Sequence, residues 1–258
     1  MDTYEKFVQD LDRYLRLDLT GYKRPQMERR INTLMRNLGM RDYDHFVESM
    51  RKDKAIFERF LDYMTINVSE FFRNPTQWDV LENKIVPELI KKTPNLKVWS
   101  AGCSTGEEPY TLSMLLQERF PAGRHSILAT DFDEHVLAKA KAGLYAKKNT
   151  GGIPAPYYKK YFDESADGVQ AKDSLKKIIT FRHQNLLRDR FPDNFDLILC
   201  RNVVIYFTEE IKRVLYTNFF KALRPGGVLF TGSTEQIMGA AEIGFHSVAV
   251  FFYGKPDK

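Results

Sequence analysis

The order of apolar and polar residues divides this chain into a helical first part and a second part in which strands alternate with helices. Up to about residue 74, apolar residues recur three or four positions apart, which is the spacing of one helix face. The two clearest sets of such positions are Phe7, Leu11, Tyr14 and Leu15, and Met27, Ile31, Leu34 and Leu38. Residues 43–63 continue the pattern with one or two further helices. We therefore predict an all-helical N-terminal domain over residues 1–75.

The rest of the chain, residues 76–258, has the pattern of an open α/β sheet. After a linking helix at 78–92, strand-type segments stand at 96–100, 126–130, 195–200 and 228–231, the last preceded by a turn at 224–227. Helical segments at 107–120, 134–144 and 209–223 alternate with them. This order is typical of a parallel, doubly wound, Rossmann-like sheet. An aromatic stretch at 248–253 predicts one last strand, antiparallel to 228–231.

The alternation breaks between residues 145 and 180. A loop with glycine and proline at 151–156 precedes an aromatic, basic segment at 157–162 and a polar, turn-rich one at 163–174. Residues 176–182 then have the pattern of a strand. We predict a small β subdomain, inserted at about 146–180 into the α/β domain.

Composition limits the class of protein. With 258 residues, 43% of them hydrophobic and 28% charged, the chain has the composition of an ordinary soluble globular protein. No apolar run reaches the roughly 20 residues that cross a bilayer, and the polar N-terminus is unlike a secretory signal. Cys103, Cys200 and the five histidines show no metal-ligand spacing. We expect a cytoplasmic protein with reduced cysteines and no metal.

The segment around the second predicted helix could account for the whole excess of positive charge. The formal net charge is +5, and residues 22–41 contain six basic residues against a single acid. Arg29 and Arg36 project on the side opposite the apolar positions of this helix. Two interpretations stay open, a solvated basic face or a docking face for an acidic helical or nucleic-acid partner.

The stretch 96–110 carries the strongest functional signal. Strand-type residues lead into a turn with Gly102 and Gly106, after which Glu107 and Glu108 begin a helix. Free N–H groups at a helix start, next to small residues that let a ligand approach the backbone, are typical of nucleotide-binding folds. The turn lacks the full glycine set of a dinucleotide site, and two carboxylates would repel a pyrophosphate. They would attract an amino group, so S-adenosylmethionine fits better than NAD or ATP.

Ligands of parallel sheets bind beyond the carboxyl ends of the strands, where four loops of this chain should meet. These loops are 101–108, 131–133, 184–186 and 201–202. Asp131 is placed either to bind the hydroxyls of a ribose or to cap the next helix, and we predict that Asp133 is that cap.

The segment 65–75 brings polar donors close together. Asn67, Ser69 and Arg73 supply an amide, a hydroxyl and a guanidinium that suit one anionic or carboxylate group. Alternatively, Ser69 caps a helix. The adjoining Phe71 and Phe72 are predicted to be core residues.

Three motifs of this chain resemble those of the CheR-type chemotaxis protein methyltransferases. They are TINVSEFFR at 65–73, VWSAGCSTGEEPY at 98–110 and CRNVVIYF at 200–207. The resemblance extends in order over essentially the whole chain. Most S-adenosylmethionine enzymes have an acid and a further glycine where this chain has Ser100 and Ser104, and both departures match this family.

The resemblance implies transfer of the methyl group of S-adenosylmethionine to glutamate side chains of chemoreceptors, which gives methyl esters and S-adenosylhomocysteine. The implied cofactor-binding residues are Asn67, Ser69, Arg73, Glu108, Asp131, Asn185, Leu186, Arg201 and Asn202. Glu108 would hold the amino group of the cofactor and Asp131 its ribose. We expect Arg73 and Tyr206 to orient the incoming carboxylate. The alternative for Tyr206 is a buried core aromatic.

The implied partner is the acidic coiled coil of a receptor signalling domain, docked on Arg29, Arg30 and Arg36, with recruitment to receptor arrays and neither nucleic acid binding nor membrane insertion. Some family members grip a receptor-tail pentapeptide through a glycine-containing loop of the β insertion. Residues 163–168 lack a Gly-X-Gly, which predicts a pentapeptide-independent enzyme. Two alternatives remain: a methyltransferase acting on RNA or a small molecule, and a non-catalytic module that senses S-adenosylmethionine or S-adenosylhomocysteine.

Overall fold

The computed structural model of the protein describes residues 3–64 and 69–258. These residues form two compact units, which we describe separately. The first unit contains the N-terminal helices together with residues 206–213, and the second contains the rest of the chain. None of the described helices is long and apolar enough to span a membrane.

Helices with one apolar face each build the first unit. They are α1 (Thr3–Leu15), α2 (Arg24–Asn37), α3 (Tyr43–Lys52) and α4 (Lys54–Met64). In their core, Phe46 stacks on Phe7 at a ring-centroid distance of 6.2 Å and meets Phe60 edge to face at 5.6 Å. The predicted helices of this part are confirmed. Tyr14 was included in the apolar set of α1 but is 42% exposed, and it lies under the guanidinium of Arg51.

Both ends of α2 follow from local chemistry. Pro25 lies in the first turn, where its missing N–H leaves no helical bond unmade. Gly39 has a φ of +66°, and the N–H of the next residue, Met40, donates to the carbonyl of Met35 at 2.9 Å. This left-handed ending is the one that glycine favours after a helix.

The chain returns to the first unit at residues 206–213. The N–H of Lys23 donates to the carbonyl of Tyr206, and the N–H of Thr208 donates to the carbonyl of Gly21, both at 2.9 Å. These bonds fix the segment against the loop that precedes α2.

A mostly parallel sheet forms the centre of the second unit. The strands of this unit are β1 (Lys97–Ala101), β2 (Ser126–Asp131), β3 (Leu144–Tyr145), β4 (Phe162–Ser165), β5 (Gly168–Ala171), β6 (Ile179–His183), β7 (Phe195–Cys200), β8 (Leu223–Thr231), β9 (His246–Ala249) and β10 (Phe252–Gly254). The main sheet of the described chain has the order β6-β2-β1-β7-β8-β10-β9, in which the first five are parallel. The strand order reverses between β1 and β7, so a ligand crevice is expected at their carboxyl ends.

Helices accompany the sheet as the alternating pattern predicted. They are α5 (Pro75–Val80), which continues through a π-helical turn (Leu81–Ile85) into α6 (Val86–Lys92), then α7 (Glu107–Arg119), α8 (Glu134–Ala142), α9 (Ala155–Tyr161), α10 (Asp173–Lys176), α11 (Glu209–Ala222) and α12 (Ala240–Ile243). All residues of β7 are buried. A strand covered on both faces explains the unbroken apolar run at 195–200.

The start of β8 differs from the prediction. The predicted turn at 224–227 is an irregularity inside the strand, because Leu223 still pairs with Phe195 while Val228 pairs with Leu197 of β7. Gly226, with a φ of +72°, allows the chain to bulge there.

The predicted last strand at 248–253 was also wrong in extent. It is an antiparallel pair, β9 and β10, because the chain turns at Val250 and Phe251, where the φ of Phe251 is +68°. β10 pairs antiparallel with β8, as predicted for the end of the chain.

The insertion contains a separate antiparallel sheet in the order β3-β5-β4. The turn between β4 and β5 consists of Ala166 and Asp167 alone, since Ser165 pairs with Gly168. The small β insertion predicted from the break in the pattern is therefore present, but its sheet begins earlier, at Leu144, and the strand predicted at 176–182 is β6, which pairs with β2 in the main sheet.

Candidate cofactor-binding and catalytic site

Main-chain hydrogen bonds hold the carboxyl ends of β1, β2 and β6 together. The N–H groups of Gly102 and Cys103 donate to the carbonyl of Thr130 at 2.8 and 2.9 Å. The N–H of Gln184 donates to the carbonyl of Asp131 at 2.9 Å. Three of the four loops expected to meet at this edge therefore lie side by side.

Two glycines shape the turn between β1 and α7, which we call the glycine turn (residues 102–106). Gly102 has a φ of +82°, and a Cβ here would collide with the side chain of Val203, so the loop after β7 packs directly on this turn. Gly106 has a φ of +96°, and a Cβ there would lie 3.0 Å from that of Ala140 on α8. Glycine suits both positions because it alone has no Cβ to strain or collide.

Asp131 holds the glycine turn from the end of β2. Its Oδ2 accepts from the N–H of Ser104 at 2.8 Å and its Oδ1 from the N–H of Asp133 at 3.0 Å. Burial raises the pKa of the Asp131 carboxyl, and the main-chain N–H groups oppose that shift. The cap of α8 is Asp133, as predicted, since its Oδ1 accepts from the N–H of His135 at 2.8 Å.

The two carboxylates that begin α7 have different partners. Glu107 is 3% exposed and accepts from the hydroxyl of Thr105 at 2.7 Å. Glu108 accepts from the hydroxyl of Ser100 at 2.7 Å and from Nη1 of Arg201 at 3.3 Å. Burial raises the pKa of the Glu108 carboxyl, while Arg201 and Ser100 oppose the shift. Ser100, which stands where most such enzymes have an acid, therefore orients Glu108.

Arg201 is a buried connector, with only 3% of its side chain exposed. Its Nη2 donates to the carbonyl of Arg73 at 2.8 Å and to the side-chain oxygens of Asn74 and Gln77 at 3.2 Å each. Burial lowers the pKa of the Arg201 guanidinium, and Glu108 opposes that shift. Arg201 thus joins the loop after β7 both to Glu108 and to the chain around Arg73.

Arg73 and Ser69 are half-buried residues of the second unit. The charge of Arg73 is close enough to Glu108 to help lower the pKa of its carboxyl. The direct connection between the two residues is Arg201, which bonds the carboxylate of Glu108 and the carbonyl of Arg73. Asn67, the third polar residue predicted in this motif, lies outside the described residues.

The remaining predicted cofactor residues lie in two loops at the same edge. Asn185 and Leu186 are half-buried after β6, and Oδ1 of Asn185 accepts from the N–H of Leu187 at 2.9 Å. Asn202 follows Arg201 after β7 and has a φ of +60°.

Glu235 organises this last loop and was missed in the sequence. It is 3% exposed, and its carboxylate accepts from the N–H groups of Asn202 at 2.6 Å, Gly232 at 2.9 Å and Val204 at 2.8 Å. Burial raises the pKa of its carboxyl, against these bonds. The available signal is an acid just beyond the end of a parallel strand, as for Asp131 at the end of β2.

The other predicted residues belong to the first unit. Tyr206 is half-buried at the end of a short 3₁₀ turn, Val204–Tyr206. Arg29 and Arg36 are exposed on α2. Arg30 is half-buried, and its guanidinium donates to the carbonyl of Tyr63 on α4 and lies over that ring at 4.9 Å.

A shallow depression of about 650 Å³ lies on the exposed face of α2. Arg29, Arg36 and Arg41 line it with positive charge beside the acid Glu28, and the half-buried Met40 contributes apolar surface. Such a surface suits a partner with both acidic and apolar side chains.

The residues at the edge of the sheet fit S-adenosylmethionine. Within the described part of the chain, the buried Ser104 Oγ and Gln184 Nε2 have no hydrogen-bond partner, and both residues bond to Asp131 through their main chains. Buried polar atoms without partners mark a place where a bound molecule would supply them. The carboxylates of Glu108 and Asp131 suit an amino group and ribose hydroxyls, respectively, and would repel a phosphate group.

Comparison with known families gives two matches that together span nearly the whole chain. The family description "CheR methyltransferase, SAM binding domain" matches residues 67–250. The description "CheR methyltransferase, all-alpha domain" matches residues 2–65.

Curated relatives agree with these matches. The chain is 40% identical over 253 residues to a chemotaxis protein methyltransferase of Listeria innocua, covering 98% of this chain and 97% of that protein. It is 34% identical over 248 residues to chemotaxis protein methyltransferase 1 of Pseudomonas aeruginosa, covering 91% and 90%. A chemotaxis protein methyltransferase of Borreliella burgdorferi is 34% identical over 237 residues, covering 86% and 84%.

The role of Glu235 gives a prediction. Glu235→Gln turns one acceptor oxygen into an NH₂ group that faces backbone N–H groups, so we expect the free energy of unfolding to fall by about 1–3 kcal/mol. Binding of S-adenosylhomocysteine should weaken as well, because the backbone at Asn202 loses its anchor. Urea unfolding and calorimetric titration measure the two effects. Glu210→Gln, an exposed control, should change neither. A wild-type free energy of unfolding and a wild-type affinity for S-adenosylhomocysteine in Glu235→Gln would contradict the proposed role of Glu235 in holding this loop.

Proposed function

Since the chain belongs to the CheR methyltransferase family, we propose that it methylates glutamate side chains of chemoreceptors and produces γ-methyl esters and S-adenosylhomocysteine. The chain is an S-adenosylmethionine-dependent methyltransferase of chemotaxis. The observation that carries the proposed acceptor is the position of the half-buried Arg73, whose carbonyl accepts from the same Arg201 guanidinium that bonds the Glu108 carboxylate. Arg73 supplies a guanidinium donor for an incoming carboxylate beside the proposed cofactor site.

The cofactor residues have distinct proposed roles. Glu108 binds the amino group, in a place where Ser100 and Arg201 fix its carboxylate. Asp131 binds the ribose hydroxyls. Asn67, Ser69 and Arg73 contact the cofactor from the preceding segment, and the adenine and methionine ends are lined by Asn185, Leu186, Arg201 and Asn202. Bound S-adenosylmethionine supplies a methyl group that its sulfonium already activates.

The protein then needs to position the acceptor more than to activate it. A glutamate carboxylate is ionised at neutral pH, so no strong general base is required. Arg73 and Tyr206 orient the acceptor carboxylate, and the surrounding protein excludes water from it. A donor that held this carboxylate too strongly would reduce its nucleophilicity, so the two groups share the task.

The exposed face of α2 is the proposed receptor-docking surface. Arg29 and Arg36 offer positive charge to an acidic helical coiled coil, and the half-buried Met40 in the depression that they line offers apolar surface. Arg30 contributes less to this surface, because α4 engages its guanidinium. Charge of this kind steers encounter and sets specificity.

We propose that docking needs no receptor-tail pentapeptide and takes place at receptor arrays. The two-residue turn between β4 and β5 supports this, since Ala166 and Asp167 leave no room for a longer glycine-containing loop.

The proposed acceptor is tested by methyl transfer from radiolabelled S-adenosylmethionine to a receptor cytoplasmic domain of the same organism. We expect label on the receptor that brief alkali releases as methanol, because carboxyl methyl esters hydrolyse readily. The rate of methyl transfer should be the same for the receptor domain with and without its C-terminal pentapeptide.

Each other outcome contradicts a named part of the proposal. Alkali-resistant label moves the acceptor away from a carboxylate, and label on RNA supports the alternative substrate. Tight cofactor binding without any transfer supports the sensing module. A rate that depends on the pentapeptide refutes pentapeptide-independent docking.

The docking surface gives a further prediction. Arg29→Glu combined with Arg36→Glu should weaken receptor binding by roughly tenfold or more and flatten its dependence on salt. Binding assays from about 50 to about 300 mM salt measure the affinity and its salt dependence, because the Debye length shortens markedly over this range. Lys52→Glu with Lys54→Glu makes the same charge change at exposed positions of α3 and α4 and serves as the control. An equal loss of receptor affinity in the two double variants would refute a specific docking face on α2.

A further inference from the structure

The insert, residues 144–176, packs on the segment that carries Arg73, residues 69–74. We propose that the insert positions this Arg73 segment in the cofactor site, and that Tyr145 is the positioning residue that also ties it to the glycine turn. The inference rests on the proposed function, because Arg73 acts at the cofactor and the acceptor there. It assigns the insert a role inside the enzyme, separate from any binding of a receptor tail.

Aromatic side chains make the first connection. Phe71 is 2% exposed, and its ring meets Tyr145 edge to face at a centroid distance of 5.0 Å and Phe162 at 5.6 Å. Phe72 stacks on Tyr157 at 5.8 Å. Aromatic pairs at such distances have preferred geometries, so the insert fixes the rings on both sides of the segment's main chain.

Close backbone approach makes the second connection. A Cβ on Gly152 would lie 2.5 Å from the carbonyl oxygen of Phe71, closer than real Cβ contacts allow. The loop of the insert therefore presses on the main chain two residues before Arg73. By contrast, a Cβ on the neighbouring Gly151 would meet nothing within 4 Å.

Tyr145 links the same packing to the glycine turn. Its hydroxyl donates to the carbonyl of Thr105 at 2.8 Å, while its ring contacts Phe71. Thr105 lies between Gly102 and Gly106, in the turn that Asp131 holds on its other side. A shift of Tyr145 would therefore move the glycine turn and the Arg73 segment together.

The Arg73 segment needs such support because its backbone is strained. Phe72 has a φ of +52°, in a region that bulky residues rarely adopt, whereas Asn74, with a φ of +60°, is of a residue type that enters this region more readily. Residues in such sparsely populated backbone conformations persist where the contacts of the surrounding structure hold them, and they cluster at functional sites. The N–H of Phe72 donates to the hydroxyl of Thr111 on α7 at 3.2 Å, which supports the segment from the opposite side.

The test compares Gly152→Ala with Gly151→Ala in the full-length protein. Gly152→Ala must displace the carbonyl of Phe71, so we expect faster amide hydrogen exchange over residues 69–74. We also expect S-adenosylhomocysteine to bind roughly ten- to a hundredfold more weakly, since small misplacements of binding groups have effects of this size. Gly151→Ala should match wild type in both measurements.

Tyr145→Phe keeps the ring and removes the hydroxyl, and it provides a second variant if Gly152→Ala does not fold. We expect about fivefold weaker binding of S-adenosylhomocysteine, the effect of one lost hydrogen bond, with the apparent melting temperature recorded alongside. A purely structural role would lower the melting temperature and leave the affinity unchanged.

Each outcome decides the inference. Faster exchange with unchanged affinity refutes a role in the site, and weaker binding with unchanged exchange refutes the route through the Arg73 segment. Unchanged exchange and affinity in both variants refute the whole inference. Neither measurement uses a receptor, so a wild-type protein that fails to methylate a receptor would refute the proposed acceptor alone.

Discussion

A carboxylate and a guanidinium that are both removed from water stabilise a protein only when their geometry is good and their remaining polar atoms are bonded. The pair of Glu108 and Arg201 meets most of this condition, because Ser100 bonds the other oxygen of Glu108 and Nη2 of Arg201 donates to three acceptors, while the buried Nε of Arg201 has no hydrogen-bond partner among the described residues. One of those acceptors is the carbonyl of Arg73. The pair therefore connects the start of α7, the loop after β7 and the chain around Arg73, which are the parts that the proposed site requires. Burial keeps the pKa of Glu108 raised even beside its partner.

Acids at the ends of two parallel strands, β2 and β8, bind different parts of this edge, with β1 and β7 between them in the sheet. Asp131 after β2 holds the glycine turn, and Glu235 after β8 holds the backbone that follows Arg201. Both carboxylates are buried and bonded mainly to backbone N–H groups, which opposes the rise in pKa that burial causes. Glu108 differs from them because its partners are side chains, so its carboxylate is the one that a positively charged ligand group could share with Arg201.

The fold could be predicted because strands buried on both faces produce unbroken apolar runs, and helices between them show their own period. The predictions at 224–227 and 248–253 were wrong because the local sequence suggested a turn in the first case and one continuous strand in the second. Which residues pair in a sheet depends on distant parts of the chain, so the local sequence does not decide it. At the site, Asp133 was predicted as a cap because a cap depends on its own helix. The position of Glu235 after β8 was a usable signal, but its bonds to Asn202 and Val204 and the burial of Arg201 could not be predicted, since those partners come from distant parts of the chain.

The most direct test of this account is the affinity for S-adenosylhomocysteine of Glu108→Gln combined with Arg201→Met, measured beside its free energy of unfolding. Removing either charge alone leaves the other buried without its partner, which should cost about 3–5 kcal/mol, whereas removing both should restore much of that stability. The account predicts that the double variant regains stability but still binds S-adenosylhomocysteine far more weakly than wild type, because the carboxylate that holds the amino group is gone. Wild-type affinity in a stable double variant would contradict the claim that Glu108 anchors the cofactor.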